Sequence, residues 1–117
     1  MNTPQQEFQK FLDEQRADYR RLLPEKMAQI HALWQAAATG GDAAAPALAD
    51  LGRLAHTLAG TAGTLGFREA GLAAKALELL LEQAGESGSS LPLAGNQDIV
   101  HAIAALQASL PSDAPLS

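Results

Sequence analysis

The chain has 117 residues, enough for one domain with a modest core, and its composition of 47% hydrophobic but only 4% aromatic residues favours an all-α fold built from Leu and Ala. A formal net charge of −5 with only 8 Lys and Arg residues argues against a nucleic-acid-binding protein. The lack of cysteine excludes disulfides and thiolate metal sites, and no stretch is typical of a signal peptide or a membrane span, so we expect a cytoplasmic protein that does not bind membranes.

The N-terminal third of the chain predicts two helices. A capping hydroxyl at Thr3, followed by apolar residues at helical spacing, predicts a first helix over residues 4–22. Proline removes an amide donor and disfavours helical geometry in the residue before it, so Pro24 predicts a break. A second helix is then expected over residues 24–39.

The central part of the chain predicts two further helices. The third is expected to open near Asp42 and to end at Gly66. The fourth follows at once over residues 67–84, with Gly85 as its stop. Its predicted core face consists of Leu72, Ala73, Ala76, Leu79 and Leu80, broadened by Leu77 and Leu81. An acidic line on the same helix is assigned to solvent, namely Glu78, Glu82 and Glu86.

The C-terminal part of the chain predicts a loop, a last helix and a tail. The Gly-, Ser- and Pro-rich stretch 85–95 is typical of a polar loop, and Asn96 caps a fifth helix that ends at Pro111. Residues 111–117 are then a C-terminal linker or tail, and residues 1–110 form the domain. Four helices of similar length with short connections predict an antiparallel up-down-up-down four-helix bundle, with the first helix as an additional N-terminal helix.

One histidine on the third helix has unusual neighbours. His56 lies almost opposite the leucines of that helix and should therefore face water. The positions that share its face are all small, namely Gly52, Ala59, Gly60 and Gly63. Each glycine within a helix costs about 0.5 to 1 kcal/mol relative to alanine, so this strip indicates a surface kept clear for a partner. The alternative is that the glycines allow close helix packing and His56 is an ordinary surface residue.

The sequence around His56 resembles the histidine phosphotransfer (HPt) motif. That motif reads His-x-Leu-Lys-Gly-Ser-Ala, with a further glycine ten residues after the histidine, and the matching residues are His56, Leu58, Gly60, Thr61, Ala62 and Gly66. The resemblance implies a phosphorelay protein in which His56 exchanges a phosphoryl group with an aspartate of a receiver domain. It also implies that Mg²⁺ belongs to the receiver, that the chain needs no cofactor of its own, and that it is a phosphocarrier without kinase activity.

The resemblance has one departure, because Ala59 stands where the family usually carries Lys. Arg53, three residues before His56, is the candidate to supply the missing charge, and Arg68 is a weaker one. The expected docking surface comprises Gly52, Arg53, Ala59, Gly60 and Gly63.

Ala59 keeps a second interpretation open, an interaction module of the same fold that binds a receiver or another signalling partner without transferring phosphate. A third interpretation is the phosphoacceptor domain of a larger histidine kinase or response regulator that acts only in cis. We predict no metal site, because His56 and His101 are expected to project away from the core and His31 to be a partly buried structural residue.

Overall fold

The computed structural model describes residues 3–86 and 96–110, and over these residues the chain is almost entirely helical. The four helices are α1 (Pro4–Thr39), α2 (Ala44–Thr64), α3 (Arg68–Glu86) and α4 (Gln97–Ser109). Consecutive helices pack against each other in chain order, and the described part of the chain contains no strand. The predicted all-α helical bundle is therefore confirmed.

Helix α1 runs without interruption through Pro24. The predicted break is wrong, and the additional N-terminal helix is the first half of α1. A proline inside a helix costs about 3 kcal/mol. Buried residues keep the same helical phase on both sides of it, namely Tyr19, Leu23, Met27 and Ile30. Because burial of one large apolar side chain contributes about 1.5 to 3 kcal/mol, the residues that pack on either side of the proline outweigh its cost.

All four helices contribute to one core. Its largest fully buried side chains are Leu23, Ile30, Leu51, Leu77, Ile99 and Leu106. The predicted core face of α3 is confirmed at Leu77 and Leu81, which are buried, and is wrong at Leu72 and Leu79, which are 60% and 46% exposed. The other residues that α3 buries in the core are Ala70 and Ala74. Helix α3 is thus rotated so that a small residue, Gly71, packs against the backbone of α2, while Leu72 and Leu79 are exposed.

The junction between α2 and α3 is fixed by backbone hydrogen bonds. Gly66 has a φ of 89°, its N–H donates to the carbonyl of Gly63, and the N–H of Phe67 donates to the carbonyl of Ala62. This pair of bonds is a Schellman motif, so the predicted end of α2 is confirmed. Arg16 of α1 adds a hydrogen bond from Nε to the carbonyl oxygen of Leu65, at 2.6 Å. By contrast, α3 continues past the stop predicted at residue 85.

Helix α4 is held to α1 by a polar contact. His31 is exposed rather than partly buried as predicted, and its Nε2 lies 2.8 Å from Oε1 of Gln107.

The predicted tail 111–117 and most of the predicted loop 85–95 lie outside the described residues, so the domain boundaries stay a prediction. Among the helices of the described ranges, none is both long and apolar enough to cross a bilayer.

Candidate functional site

His56 lies near the middle of α2 and projects away from the core. Its side chain is 73% exposed, which confirms the predicted orientation. The opposite side of the helix is buried in the bundle through Ala47, Leu51, Ala55, Leu58 and Ala62. Because the imidazole is anchored on a well-packed helix, its position relative to the rest of the domain is fixed by that packing.

Two grooves flank the imidazole. A cleft of about 600 Å³ lies between α2 and α3, and its walls include His56, Ala59, Gly60, Gly63, Arg68, Gly71, Leu72, Lys75 and Glu78. A second groove, of about 450 Å³, lies towards α1 and includes Gln15 and the α2 residues Thr57, Gly60, Thr61 and Thr64. His56 and Gly60 line both grooves, so the ring stands on a ridge that a partner can approach from two sides.

The structure brings together only part of the predicted docking surface. Ala59, Gly60 and Gly63 lie in the cleft beside His56, whereas Gly52 lies one turn before the histidine and outside it. Arg53 is also outside the cleft, is exposed, and forms an ion pair with Asp50. The assignment of all five residues to a docking surface stays a prediction.

The glycines on the His56 face are not needed for packing within the described fold. A Cβ built on Gly52, Gly60 or Gly63 has nothing within 4 Å. The close approach of α2 and α3 depends instead on Gly71, where a Cβ would lie 3.2 Å from the backbone nitrogen of Gly63. The interpretation that the three glycines serve close helix packing is thus contradicted, while Gly71, which the sequence analysis does not single out, has that role.

Glu78 is a residue of the site for which the sequence-based prediction is wrong. The sequence predicts a solvated position, but Glu78 is only 6% exposed. Its Oε2 lies 2.6 Å from Nδ1 of His56, and its Oε1 lies 3.2 Å from Nζ of Lys75. Each carboxylate oxygen therefore has one donor, which is how a buried charge is compensated. On α3, Glu78 follows Gly71 and Lys75 at helical spacing, so all three face the cleft.

The charge of Glu78 is maintained by its two partners. Burial alone would raise the pKa of this carboxyl. The hydrogen bonds from Lys75 and His56, with the positive charges of Lys75 and of the imidazole when it is protonated, more than offset this effect, and the pKa is lowered. Glu78 is therefore ionised at neutral pH. Because its pKa is lower in the folded than in the unfolded state, these interactions stabilise the fold at neutral pH, and that stabilisation is lost as the pH falls through the lowered value.

The contact with Glu78 determines which tautomer a neutral imidazole adopts at His56. An ionised carboxylate can only accept hydrogen bonds, so Nδ1 of His56 must donate. In the neutral ring the lone pair is then on Nε2, on the far side of the imidazole from Glu78. No hydrogen bond to Nε2 occurs among the described residues. The arrangement holds an outward-facing nitrogen nucleophile above a surface of small residues.

Comparison with known proteins identifies the family. The family model of the Hpt domain matches residues 6–109. Searches of curated proteins and of solved structures gave no significant match. Hpt domains are phosphocarrier modules that act in histidine phosphotransfer within two-component phosphorelays. Since the matched region covers nearly the whole chain and contains the exposed histidine with its cleared surface, this chain belongs to the Hpt domain family.

Proposed function

We propose that this domain is a phosphorelay intermediate that accepts a phosphoryl group on Nε2 of His56 and exchanges it with an aspartate of a receiver domain. The observation that carries the proposal is the hydrogen bond from Nδ1 to the buried carboxylate of Glu78, which leaves Nε2 of a largely exposed ring unoccupied by hydrogen bonds within the described structure. A neutral imidazole nitrogen of this kind is a nucleophile at neutral pH.

The proposed transfer needs no proton movement at the attacking nitrogen. The Nε2 lone pair attacks phosphorus, and the bond from phosphorus to the receiver's aspartate oxygen breaks with its electron pair returning to that carboxylate. The ring keeps its proton on Nδ1 and becomes positively charged. Glu78 accepts the hydrogen bond from that proton and offsets the new charge at 2.6 Å. The reverse reaction runs through the same contacts.

The surface around His56 supports docking of a protein rather than entry of a small substrate alone. Gly60 lines both grooves, and Gly60 and Gly63 leave open space where side chains would stand. A receiver's acyl phosphate lies within its own active site, so a bare helix surface lets that site reach the ring. In this proposal the receiver holds the Mg²⁺, the domain has no kinase activity of its own, and the exchange takes place in the cytoplasm.

The test of this function uses a phosphorylated receiver domain as the donor. The domain is incubated with it, and phosphate on each protein is followed by mass spectrometry under conditions that preserve acid-labile phosphate, with binding measured in parallel. We expect phosphate to appear on the domain and to return to an unphosphorylated receiver. Complex formation without any label on the domain would reject the transfer function.

A second candidate function is a binding module of the same fold that does not transfer phosphate. The observation that favours it is Ala59, which lines the cleft one turn after His56 and carries no charge. In the same experiment, a stable complex with the receiver in which the domain carries no phosphate would support this second function.

Replacing Glu78 with alanine is expected to slow phosphorylation of His56 about tenfold. A hydrogen bond to a charged group contributes about 1.5 to 3 kcal/mol. We use the lower end because the ring is largely exposed, and about 1.4 kcal/mol corresponds to a factor of about ten in rate. Glu78→Gln keeps an acceptor oxygen but not the charge, so its rate should fall between the two. The measurement is the initial rate of labelling from a phosphorylated receiver.

Nitrogen-15 NMR of His56 separates this positioning role from general damage to the fold. In the wild type the neutral ring should carry its proton on Nδ1, and in Glu78→Ala the proton should move towards Nε2. Circular dichroism provides the control for folding. A variant with the wild-type tautomer and the wild-type rate would contradict the role assigned to Glu78.

A further inference from the structure

Phosphorylation of His56 brings a negatively charged phosphoryl group close to the carboxylate of Glu78. A phosphoryl group carries roughly 1.5 to 2 negative charges near neutral pH. The nearest acidic group in the structure is Glu78, which is bonded to the other nitrogen of the same ring. On α2, the uncharged Ala59 stands at the position where the resemblance places a Lys, and Arg53, the substitute expected from the sequence, is paired with Asp50 outside the cleft. Helix α2 therefore provides no cation to the cleft.

Helix α3 provides two cations to the same cleft, Arg68 and Lys75. They are not equivalent in position. Nζ of Lys75 lies 3.2 Å from Oε1 of Glu78, and the other oxygen of that carboxylate contacts His56. Arg68 lies seven residues earlier on α3, which is about 10 Å along the helix axis. Lys75 is therefore the cation that the structure holds beside the histidine.

The side chain of Lys75 is free to follow a phosphoryl group. It is 54% exposed, and its ammonium carries three donors on a flexible stem. One N–H can stay on Glu78 while another donates to a phosphoryl oxygen. Since the carboxylate of Glu78 contacts both residues, it holds the ammonium of Lys75 near the ring.

We propose that Lys75 binds the phosphoryl group on His56, so that α3 supplies the positive charge that the resemblance places at position 59 of α2. This proposal rests on the proposed function, because it requires His56 to carry phosphate. Lys75 is a phosphate-binding residue in it, and Glu78 holds both the imidazole and the ammonium.

The test loads His56 chemically, with phosphoramidate as a small donor, so that no receiver is needed. The variants are Lys75→Ala, Lys75→Arg and the double variant Lys75→Ala with Ala59→Lys. The matched control is Arg21→Ala, which removes an exposed cation that is paired with Asp18 on α1 and lines neither groove. The lifetime of the phosphohistidine and the pH dependence of its ³¹P chemical shift are measured for each. The second readout reports the ionisation of the phosphoryl group itself and does not respond to a merely structural role of Lys75.

We expect Lys75→Ala to shorten the phosphohistidine lifetime about threefold to tenfold, the range given by one partly exposed charge-assisted hydrogen bond. The ³¹P titration should move to higher pH, because a nearby cation favours the more ionised phosphoryl group. Lys75→Arg and the double variant should restore both values in part, and Arg21→Ala should match the wild type. Equal lifetimes and titrations in wild type and Lys75→Ala would overturn the role of Lys75 alone. Failure of phosphoramidate to label His56 would overturn the proposed function as well.

Discussion

Replacing His56 with glutamine is expected to abolish phosphotransfer completely while the fold and receiver binding persist. Glutamine has no nucleophilic ring nitrogen, and no other residue that lines the cleft is a histidine. The wild-type side chain is 73% exposed, so little packing is lost. The measurement is phosphate on the domain after incubation with a phosphorylated receiver, with complex formation followed separately.

The matched control for this variant is His101→Gln. His101 is also exposed on a helix, but it lies outside both grooves. The His101→Gln variant should therefore transfer phosphate at the wild-type rate. Label on His56→Gln, or loss of label from His101→Gln, would show that the phosphoacceptor is a different residue.

Replacing Gly60 with leucine is expected to reduce transfer from a receiver at least a hundredfold without destabilising the domain. Gly60 lines both grooves beside His56, and its Cβ position is open in the isolated domain. A leucine there occupies the space into which a partner's active site must fit, and misplacement of reacting groups by about 1 Å can cost on the order of a hundredfold. Phosphoramidate, which is small, should still label the variant.

Stability measurements separate blocked docking from a damaged fold. Gly60→Ala should raise the free energy of unfolding by about 0.5 to 1 kcal/mol, because alanine is the better helix former. Gly71→Ala is the contrasting variant, since its Cβ would lie 3.2 Å from the backbone of Gly63 and overpacking costs about 1 to 3 kcal/mol. Wild-type transfer by Gly60→Leu would contradict the docking surface, and a destabilised Gly60→Ala would contradict its open environment.

The position of His56 could be predicted from sequence because it depends on one helix. Leucines at helical spacing define the buried side of α2, and the residue opposite them must face solvent. The end of that helix at Gly66 is equally local, since a glycine with positive φ permits the Schellman motif. The cleared strip of glycines follows from the same periodicity, and the structure adds that their Cβ positions are open.

The second helix of the site could not be predicted in the same way. Helix α3 carries leucines on several sides, so its periodicity does not specify which side is buried. The close approach of α3 to α2 at Gly71 determines which side of α3 is buried. It also turns Lys75 and Glu78 towards the histidine. An acidic residue on a leucine-rich helix is usually solvated, and only the partner supplied by α2 makes Glu78 a buried one.

The break predicted at Pro24 illustrates the same limit. The cost of a proline within a helix is local and can be estimated from sequence. The burial of Leu23 and Met27 on either side of it is a property of the assembled bundle. The continuous α1 also places Gln15 in the second groove beside His56.

The most direct test of the phosphoacceptor is NMR of the phosphorylated domain with nitrogen-15-labelled histidine. Phosphorus–nitrogen coupling identifies the ring nitrogen that carries phosphate, and proton–nitrogen correlation identifies the nitrogen that keeps its proton. We expect phosphate on Nε2 of His56 and a proton on Nδ1, where Glu78 accepts its hydrogen bond. Phosphate on Nδ1, or on any residue other than His56, would contradict the proposed phosphoacceptor.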